Sequence, residues 1–596
     1  MTINKRAVRN VKKNKAFYII SIILTALTSM LIVAAVSTGL NLKTVVRDFI
    51  NKYKAEDAEF VTYKPLSDED IKSLEDKYDV TLEYSRYKDV KVKSGDLKGV
   101  TFRVFDMPEK LNLCEVREGH EPGDGEALLT QDFADARDVG VGDEISLGMN
   151  SYKVSAYTTK SDYIYMLEKL SGFIDTEKFA VIVVDHDEYD KVDAKETGYY
   201  SIRYQKDNSK EVREKINKDY VIASYLAAAT NTRISMPVNE GDAVTNMAIM
   251  YAPVMFIIVI TLIVMVLGRN IKNEQYLLGT FLALGFSGKQ IIGHYMRYGM
   301  IPGLIGSVLG LIGSVPLTRA LCHFYIEYDF EKLTYTVIYN VPSILVALIV
   351  PTLLYCIAIA IQSAKLLKKS PVDLLRNTGK DSRTVGVMKN SRAKTQTKLR
   401  VRSVIGHPGR SIVTTIGVAV AAFCILAGFI MNDSMNTLLH NGLTSSIKYE
   451  YLYRLNNLEE GTADQGEGLF QNYYEVEGST VQLSAQGIAE HSKYFPDKTD
   501  DGEKVDLDKY YLTSAAAETF GVKSGDEFSF YNIADLKEHK VKISGVVTDN
   551  THCYLYTSRE NATKLAGVST NAYNCIISKD KLTLDKKRVA SETTMT

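Results

Sequence analysis

Residues 6–40 read RAVRNVKKNKAFYIISIILTALTSMLIVAAVSTGL, and residues 400–435 read RVRSVIGHPGRSIVTTIGVAVAAFCILAGFIMNDSM. Both stretches begin with Val-Arg-x-Val, continue through a short basic or turn-forming stretch and end in an apolar run long enough to cross a bilayer. A second sequence repeat lies outside these runs, since LLTQDFADARDVGVGDEISL at 128–147 matches YLTSAAAETFGVKSGDEFSF at 511–530. The sequence therefore predicts two copies of one unit, of which the second stops halfway.

The bulk composition excludes several classes of protein. A chain of 596 residues is too long for one domain, and its net charge of −1 argues against a general nucleic-acid binder. No Cys/His spacing suggests zinc, so no metal is expected. Cys553 and Cys575 fall in the second outer segment, where spacing alone leaves open whether they form a disulfide.

Five segments reach the length of about 20 apolar residues that a membrane helix needs. They are 16–40, 247–268, 299–322, 341–361 and 412–431. The first is too long for the apolar core of a signal peptide, and no cleavage site follows it. None of the five carries an Asp, Glu, Lys or Arg in mid-span, which counts against an ion-coupled carrier.

The distribution of Lys and Arg predicts the orientation, because these residues concentrate on the cytoplasmic side of membrane helices. Three basic stretches are expected inside, namely 1–15, 268–298 and 365–410. The loop after the third span carries Glu327, Asp329 and Glu331 and is expected outside. If the chain crosses the membrane at each of the five spans, these assignments are consistent with one another and the N-terminus lies in the cytoplasm.

These predictions give a fold class and a division of the chain. The protein is expected to be a polytopic α-helical membrane protein with two extracytoplasmic α+β domains, built from a duplicated span–outer domain–three-span unit whose second copy is truncated. The expected parts are a cytoplasmic amphipathic segment at 1–15 that lies on membrane lipid, the first span at 16–40, outer domain 1 at 41–246, the second span at 247–268, a cytoplasmic coupling loop at 269–298, the third span at 299–322, an outer loop at 323–340, the fourth span at 341–361, a basic cytoplasmic linker at 362–411, the fifth span at 412–431, and outer domain 2 at 432–596.

The first outer segment contains two strand–helix–strand units, at 58–93 and 199–222, which are typical of a split-βαβ fold. Ser67 is placed to cap the first helix, with Asp70 three residues later. Gly142-Asp143 and Gly525-Asp526 are expected to form turns between strands. Their acids could also belong to a metal site, but a turn before a strand is the simpler interpretation.

Glycines in the third span are spaced for close helix packing. Gly299 and Gly303, and then Gly306 and Gly310, form small-xxx-small pairs that let two helices approach closely. These four residues are therefore the predicted helix-packing positions.

The cytoplasmic loop reads GRNIKNEQYLLGTFLALGFSGKQIIGHYMRYG at 268–299. Leu277, Leu278, Phe281 and Leu284 give one apolar helical face, Gly285 ends that helix, and a second helix follows. This loop resembles that of the FtsX-like permeases, the family of MacB and the lipoprotein-releasing permeases. The resemblance rests on Arg269, Glu274, Gly279-Thr280, ALGFS at 283–287, and Lys289, Gln290 and Ile291, with PVDLLR at 371–376 as a second match.

The resemblance implies a permease that works with a separate ABC-type ATPase. This chain has no G-x-x-x-x-G-K-[ST] motif, so it is not expected to be an enzyme or to hold a cofactor; ATP would bind the partner subunit. The resemblance makes Glu274, Leu284, Gly285, Lys289 and Gln290 the expected ATPase-coupling residues. Two alternatives stay open, since Leu284 could pack against the bundle and Lys289 could be a charge at the inner leaflet.

The family also implies the range of functions. One is export or extraction of a peptide, lipoprotein or lipid across or from a bacterial plasma membrane. The other is a non-transport role, in which a transmembrane regulator activates an extracellular cell-wall hydrolase or senses a peptide.

The sequence departs from the family pattern in two places. Tyr298 occupies a place where the family often has an acid, and the second unit lacks its last three spans, so the chain is expected to be a fragment or a truncated product.

Overall fold

The computed structural model of the chain describes residues 15–147, 150–170, 174–328, 330–376, 395–397, 408–437, 448–477, 479, 481–533, 536–585 and 587–594. The predicted amphipathic segment lies outside the described residues except for Lys15, and so does most of the basic linker.

The helices are numbered in chain order. They are α1 Lys15–Lys52, α2 Asp68–Tyr78, α3 Gln131–Arg137, α4 His186–Asp190, α5 Ser209–Tyr220, α6 Thr232–Asn273, α7 Gln275–Ala283, α8 Gly288–Tyr328, α9 Val341–Leu367, α10 Pro371–Arg376, α11 Pro408–Thr437, α12 Ser514–Phe520 and α13 Arg559–Ala566.

Three of these helices are long and apolar enough to cross a membrane within the part of the chain that the structure describes: Tyr18–Lys52, Gly288–Glu327 and Val341–Leu367. They contain the predicted first, third and fourth spans. The predicted second and fifth spans lie in the continuous helices α6 and α11, many of whose side chains are outside the described residues. Helices α1, α6, α8 and α9 pack together as a bundle, and α11 contacts α6.

Helix α1 continues past the predicted end of the first span at residue 40 and reaches Lys52. The physical reason is an apolar face in this extension, where Leu42, Val46 and Phe49 are buried. They pack against Ile164 of the outer domain and Ile326 of α8. Helix α6 likewise begins at Thr232, well before the predicted span. Continuous helices therefore join the membrane region to the first outer domain.

The first outer domain is built on a 10-stranded sheet. Its strands are β1 Ala58–Thr62, β2 Val80–Lys91, β3 Thr101–Asp106, β4 Cys114–Arg117, β5 Glu126–Thr130, β6 Glu144–Leu147, β7 Asn150–Lys160, β8 Phe179–Val184, β9 Glu196–Tyr204 and β10 Ile222–Ala227. They lie in the order β10-β1-β9-β2-β3-β8-β5-β7-β4, with β6 paired to β7.

The first four strands of that order confirm the predicted split-βαβ arrangement. Strands β10, β1, β9 and β2 are antiparallel neighbours, and α2 and α5 connect them as the sequence predicts. Helix α2 begins with the expected capping box, in which Ser67 and Asp70 each accept a backbone hydrogen bond from the other residue. Leu74 and Tyr78 of α2 are buried in the core beneath this part of the sheet.

The second outer domain is built on a 9-stranded sheet. Its strands are β11 Tyr451–Glu460, β12 Glu467–Glu475, β13 Leu483–Ile488, β14 Tyr510–Thr513, β15 Glu527–Asn532, β16 Glu538–Val547, β17 Tyr554–Ser558, β18 Ala572–Ser578 and β19 Val589–Thr594. They lie in the order β13-β17-β14-β16-β15-β12-β18-β11-β19, with a further pairing of β13 to β12.

The two sheets share one topology. The run β10-β1-β9-β2-β3-β8-β5-β7 of the first corresponds to β19-β11-β18-β12-β13-β17-β14-β16 of the second. Each of these neighbouring pairs is parallel or antiparallel in the same way in both sheets, as is the pair β6–β7 compared with β15–β16. Loops replace α2 and α5 in the second domain. Duplication of the complete unit, including its spans, stays a prediction.

The sequence echo at 128–147 and 511–530 has the same local structure in both places. A strand leads into a seven-residue helix, and then a glycine with positive φ, Gly142 at 99° and Gly525 at 94°, lies in a turn just before the next strand. The aspartate after each glycine accepts a backbone hydrogen bond, from Gly140 over 2.7 Å and from Lys523 over 2.9 Å. The prediction of a turn between two strands is wrong in one respect, since a helix precedes each turn.

Cys553 and Cys575 are both free thiols. The disulfide that spacing left open therefore does not form.

Candidate functional site

The candidate site is the corner where α6 ends, α7 crosses and α8 begins. Helix α7 ends as predicted at Gly285, which has a φ of 85° and so adopts a left-handed conformation that suits glycine. The backbone N–H of Phe286 donates to the carbonyl oxygen of Phe281 over 3.1 Å, which closes the helix end in a Schellman-type turn. The chain thus reverses tightly between the two helices.

Helix α8 begins with a reciprocal cap. The Gln290 side-chain oxygen accepts from the Ser287 backbone N–H over 3.0 Å, and the Ser287 hydroxyl oxygen accepts from the Gln290 N–H over 3.4 Å. Gln290 was predicted only as an ATPase-coupling residue. The Ser-x-x-Gln spacing is the signal that could have revealed its local role.

One face of α7 is fixed to the ends of the neighbouring helices. Leu278 is fully buried and shares a core cluster with Leu374 of α10 and Ile359 of α9. Gly279 brings α7 close to α10, because a Cβ at this position would lie 3.0 Å from Leu374 Cβ and 3.0 Å from Leu375 Cγ. Helix α7 therefore packs against the PVDLLR stretch at 371–376. The sequence of this stretch did not reveal the contact.

The opposite side of the corner presents apolar side chains to its surroundings. Leu284 is 70% exposed, Tyr276 is 59% exposed, and Val372 of α10 is 55% exposed. Lys289, at the start of α8, is also exposed. Leu284 is thus largely exposed, and both its contact with an ATPase and its alternative role in packing stay predictions. Exposed apolar side chains of this kind are typical of surfaces that contact a protein partner or a membrane.

Glu274 has a different position from the other predicted coupling residues. It is half-buried at the break between α6 and α7, where its backbone oxygen accepts from the N–H groups of Leu277 and Leu278. Its Oε2 accepts a hydrogen bond from the hydroxyl of buried Tyr295 over 3.0 Å. Glu274 therefore holds the corner to α8.

The four glycines of α8 face two different helices. A Cβ at Gly299 would lie 3.2 Å from Tyr355 Cβ, and one at Gly303 would lie 2.9 Å from Thr352 Cα, both on α9. A Cβ at Gly306 would lie 2.9 Å from the Ile22 carbonyl oxygen, and one at Gly310 would lie 2.6 Å from the Ala26 carbonyl oxygen, both on α1. Each small-xxx-small pair therefore brings α8 against a separate neighbour.

The outer end of α6 is anchored in a buried charged cluster. Arg233, in its first turn, pairs with Glu59 of β1 at 2.8 Å and also donates to the Tyr163 hydroxyl. Arg103 of β3 donates to the same hydroxyl over 2.8 Å. Sequence reasoning missed this cluster, because its members are separated by up to 174 residues between Glu59 and Arg233.

A buried acid completes the cluster. Glu56 accepts from the Asn112 side chain over 2.8 Å, and its other oxygen has no hydrogen-bond partner in the described part of the chain. Burial, together with the nearby charges of Glu59 and Asp162, raises the pKa of Glu56 to about 8. Burial therefore favours the protonated form of Glu56 in the folded protein.

The loop between α8 and α9 also docks on the outer domain. Glu331 is buried and its Oε1 accepts from the backbone N–H groups of Gln131 and Asp132 over 2.6 and 3.2 Å, at the start of α3. Lys332 pairs with Asp135 on the same helix. Burial and the nearby charge of Asp132 raise the pKa of Glu331 well above its usual range. The loop predicted as a simple outer connection is thus a fixed contact.

Among the described residues, no group of three or more His, Cys, Asp or Glu side chains could hold a metal ion.

Comparison with known families identifies the region around the corner. Residues 249–371 match the family model described as FtsX-like permease C-terminal. The match spans most of α6, all of α7, α8 and α9, and ends at the first residue of α10. A search of curated proteins found no match. The region with the exposed Leu284 surface is therefore similar to the C-terminal domain of FtsX-like permeases.

Proposed function

We propose that this chain, whose FtsX-like permease domain lies at residues 249–371, is the permease subunit of an ABC transporter of the FtsX/MacB type. It would receive the motion of a separate ATPase at the α6–α8 corner and pass that motion to the outer domains. The motion would drive the export or extraction of a peptide, lipoprotein or lipid. The observation that carries this proposal is that the helices bearing the exposed corner are fastened at their other ends to the first outer domain.

The pathway by which motion would pass from the ATPase to the outer domains begins at the surface of Leu284, Tyr276, Val372 and Lys289. Its apolar residues are exposed, while the opposite face of α7 is buried against α9 and α10. A partner that displaces α7 would therefore displace the ends of these helices too, because close-packed contacts move as a unit.

The outer end of the pathway has three anchors. Helix α6 is held through Arg233, the α8–α9 loop is held through Glu331, and α1 is held through Arg203 of β9. The Arg203 guanidinium donates to the carbonyl oxygens of Ile50 and Ala55 over 3.2 and 3.1 Å. Movement of any of these helices would therefore reposition the outer domain directly.

The charge distribution supports an orientation with the corner in the bacterial cytoplasm. The 268–298 segment carries Arg269, Lys272, Lys289 and Arg297 against the single acid Glu274. A cytoplasmic corner is accessible to an ATPase, and the N-terminus would lie on the same side of the plasma membrane.

The test is copurification of the full chain with an ABC-type ATPase, followed by ATPase measurements in lipid nanodiscs. Leu284→Asp places a charge at the most exposed of these apolar residues and is expected to abolish stimulation of the ATPase while membrane insertion is retained. Leu170→Asp is the matched control, because Leu170 is also exposed, at 42%, but lies in the outer domain.

Stimulation that survives Leu284→Asp would show that the coupling assignment is wrong. Absence of any ATPase from the folded, complete chain would favour a transmembrane regulator without a motor. Binding of a cell-wall hydrolase by the outer domains, with an ATPase present but no transported substrate, would favour the regulatory role.

A further inference from the structure

The two outer sheets differ at one seam. In the second domain, a ring of paired strands runs in the order β12, β13, β17, β14, β16 and β15. The ring closes where Tyr474 and Glu475 of β12 pair with Asn532 and Tyr531 of β15. The corresponding strands of the first domain are β2, β3, β8, β5, β7 and β6. Among its described residues, β6 pairs with β7 alone and the ring stays open between β6 and β2.

A cavity of about 1240 Å³ lies at this open seam. One side is the end of β2 with its hairpin, residues 89–97, and the other side is β6, residues 144–147. Pairing of β2 with β9 ends at Lys88, so the remainder of β2 pairs only with β3 in the described chain. Two strand edges therefore border the same cavity.

The hydrogen-bond alternation shows which backbone groups point into the cavity. The Val154 N–H donates to the Asp143 oxygen over 2.9 Å, so in β6 the odd-numbered residues face β7 and Glu144 and Ser146 face away. The Val92 N–H donates to the Val100 oxygen over 2.9 Å, so in β2 Asp89 and Lys91 face away from β3. Each edge thus offers N–H and C=O groups at alternate residues.

The lining has an apolar floor and a charged rim. Val90, Leu97, Val139 and Ala194 are only partly buried and pack on the core of the domain. Exposed charged side chains, among them Lys91 and Glu144, stand at the rim. In an extended peptide successive side chains point to opposite faces, so alternating apolar and polar residues would match the floor and the rim.

We infer that this seam binds an extended peptide of alternating apolar and polar residues, which adds as a strand between the free edges of β2 and β6. Main-chain hydrogen bonds supply the affinity in this mode, and the apolar floor selects the inward side chains. The same chain shows that these strand positions can close on each other, because β12 and β15 do so in the second domain. The inference adds a substrate or partner class to the proposed function but does not depend on an ATPase.

The test measures peptide binding to the full chain in lipid nanodiscs by fluorescence anisotropy. The probes are labelled peptides of about eight residues, longer than an average strand, in which valine, leucine or phenylalanine alternates with threonine, lysine or glutamate. Each is compared with the same peptide N-methylated at alternate residues, which cannot donate to a strand edge. We expect the unmethylated peptides to bind and methylation to weaken binding at least about tenfold.

Two matched pairs of variants locate the site. Ser146→Pro removes the cavity-facing N–H of β6 but spares the residues bonded to β7, whereas Ser146→Ala retains that N–H and loses the same hydroxyl. Lys91→Pro and Lys91→Ala form the equivalent pair on β2. We expect each proline variant to weaken peptide binding about fivefold to tenfold relative to its alanine partner, with ATPase copurification unchanged.

Equal binding by the proline and alanine variants, or no binding by any peptide of the set, would overturn the inference. Dimers of the wild-type chain that disappear in Ser146→Pro would show that a second copy occupies the seam, and would also overturn it. Failure of the ATPase test with intact peptide binding would contradict only the proposed function.

Discussion

The hydroxyl of Tyr295 donates a hydrogen bond to Oε2 of Glu274 over 3.0 Å and so fixes the start of α8 to the break between α6 and α7. Tyr295 itself is buried in the cluster that also contains Leu278 and Leu374. The contact therefore joins the exposed corner to the helices behind it, and we expect Glu274 to position the corner; its contact with an ATPase stays a prediction.

Tyr295→Phe tests this role because it removes the hydroxyl and retains the ring. We expect the ATPase to copurify with the variant as with the wild type, since the Leu284 surface is untouched. Stimulation of the ATPase should fall severalfold, because the loss of one hydrogen bond, about 1 kcal/mol, loosens the corner. Tyr63→Phe is the control, since Tyr63 is also exposed, at 61%, and follows β1, away from the surface of Leu284. Unchanged stimulation in Tyr295→Phe would contradict a positioning role.

Gly310→Ala tests the close approach of α8 to α1. The added Cβ would lie 2.6 Å from the Ala26 carbonyl oxygen and 2.8 Å from Ser29 Cβ, so the two helices must separate. We expect a loss of about 1–3 kcal/mol, the usual cost of overpacking, seen as a lower melting temperature in detergent. Gly293→Ala is the control, because its Cβ would have no atom within 4 Å. Equal melting temperatures for the two variants would show that α8 and α1 are not held together at Gly310.

Glu331 gives a prediction with opposite outcomes for two substitutions. Because burial and Asp132 raise the pKa of Glu331 and so favour its neutral form, Glu331→Gln, which keeps a neutral acceptor oxygen, should cost little stability. Glu331→Ala leaves the N–H groups of Gln131 and Asp132 without their acceptor and should cost about 1–3 kcal/mol. Thermal unfolding of the full chain in nanodiscs measures both. A Gln variant as unstable as the Ala variant would show that Glu331 is needed as a charged group.

The sequence predicted the local elements of this protein better than the contacts between them. The Ser67 cap, the helix end at Gly285 and the strands of the split-βαβ unit follow from neighbouring residues, and the structure contains them. Three of the five predicted spans lie in helices apolar and long enough for a membrane. Continuation of α1 to Lys52 was missed because its buried face contacts residues of the outer domain that are distant in sequence.

At the candidate site, too, the sequence predicted local features but not the contacts between distant residues. Exposure of Leu284 and Lys289 agrees with a docking surface, but their contact with an ATPase stays a prediction. The support for that surface could not be read from the sequence, because Gly279 and Leu374 meet only when α10 folds back beneath α7. The anchors at Arg233 and Glu331 were also missed, since an arginine or glutamate near a span end is usually a charged flank.

Glu56 makes the stability of the outer domain depend on pH. Its pKa is raised from an ordinary value of 4.5 to about 8, first by burial and then by Glu59 and Asp162. Between these two values the folded state holds a proton that the unfolded state has released. Stability therefore falls as pH rises through this window and levels off above about pH 8.

Glu56→Gln removes this dependence, because a glutamine side chain does not ionise. We expect the melting temperature of the wild-type chain in nanodiscs to fall more steeply than that of the variant between about pH 5 and about pH 8. Glu69→Gln is the control, because Glu69 is an exposed acid in the first turn of α2. Parallel curves for the wild type and Glu56→Gln would show that Glu56 is charged in the folded domain, and that the cluster around Arg233 compensates its charge as well as that of Glu59.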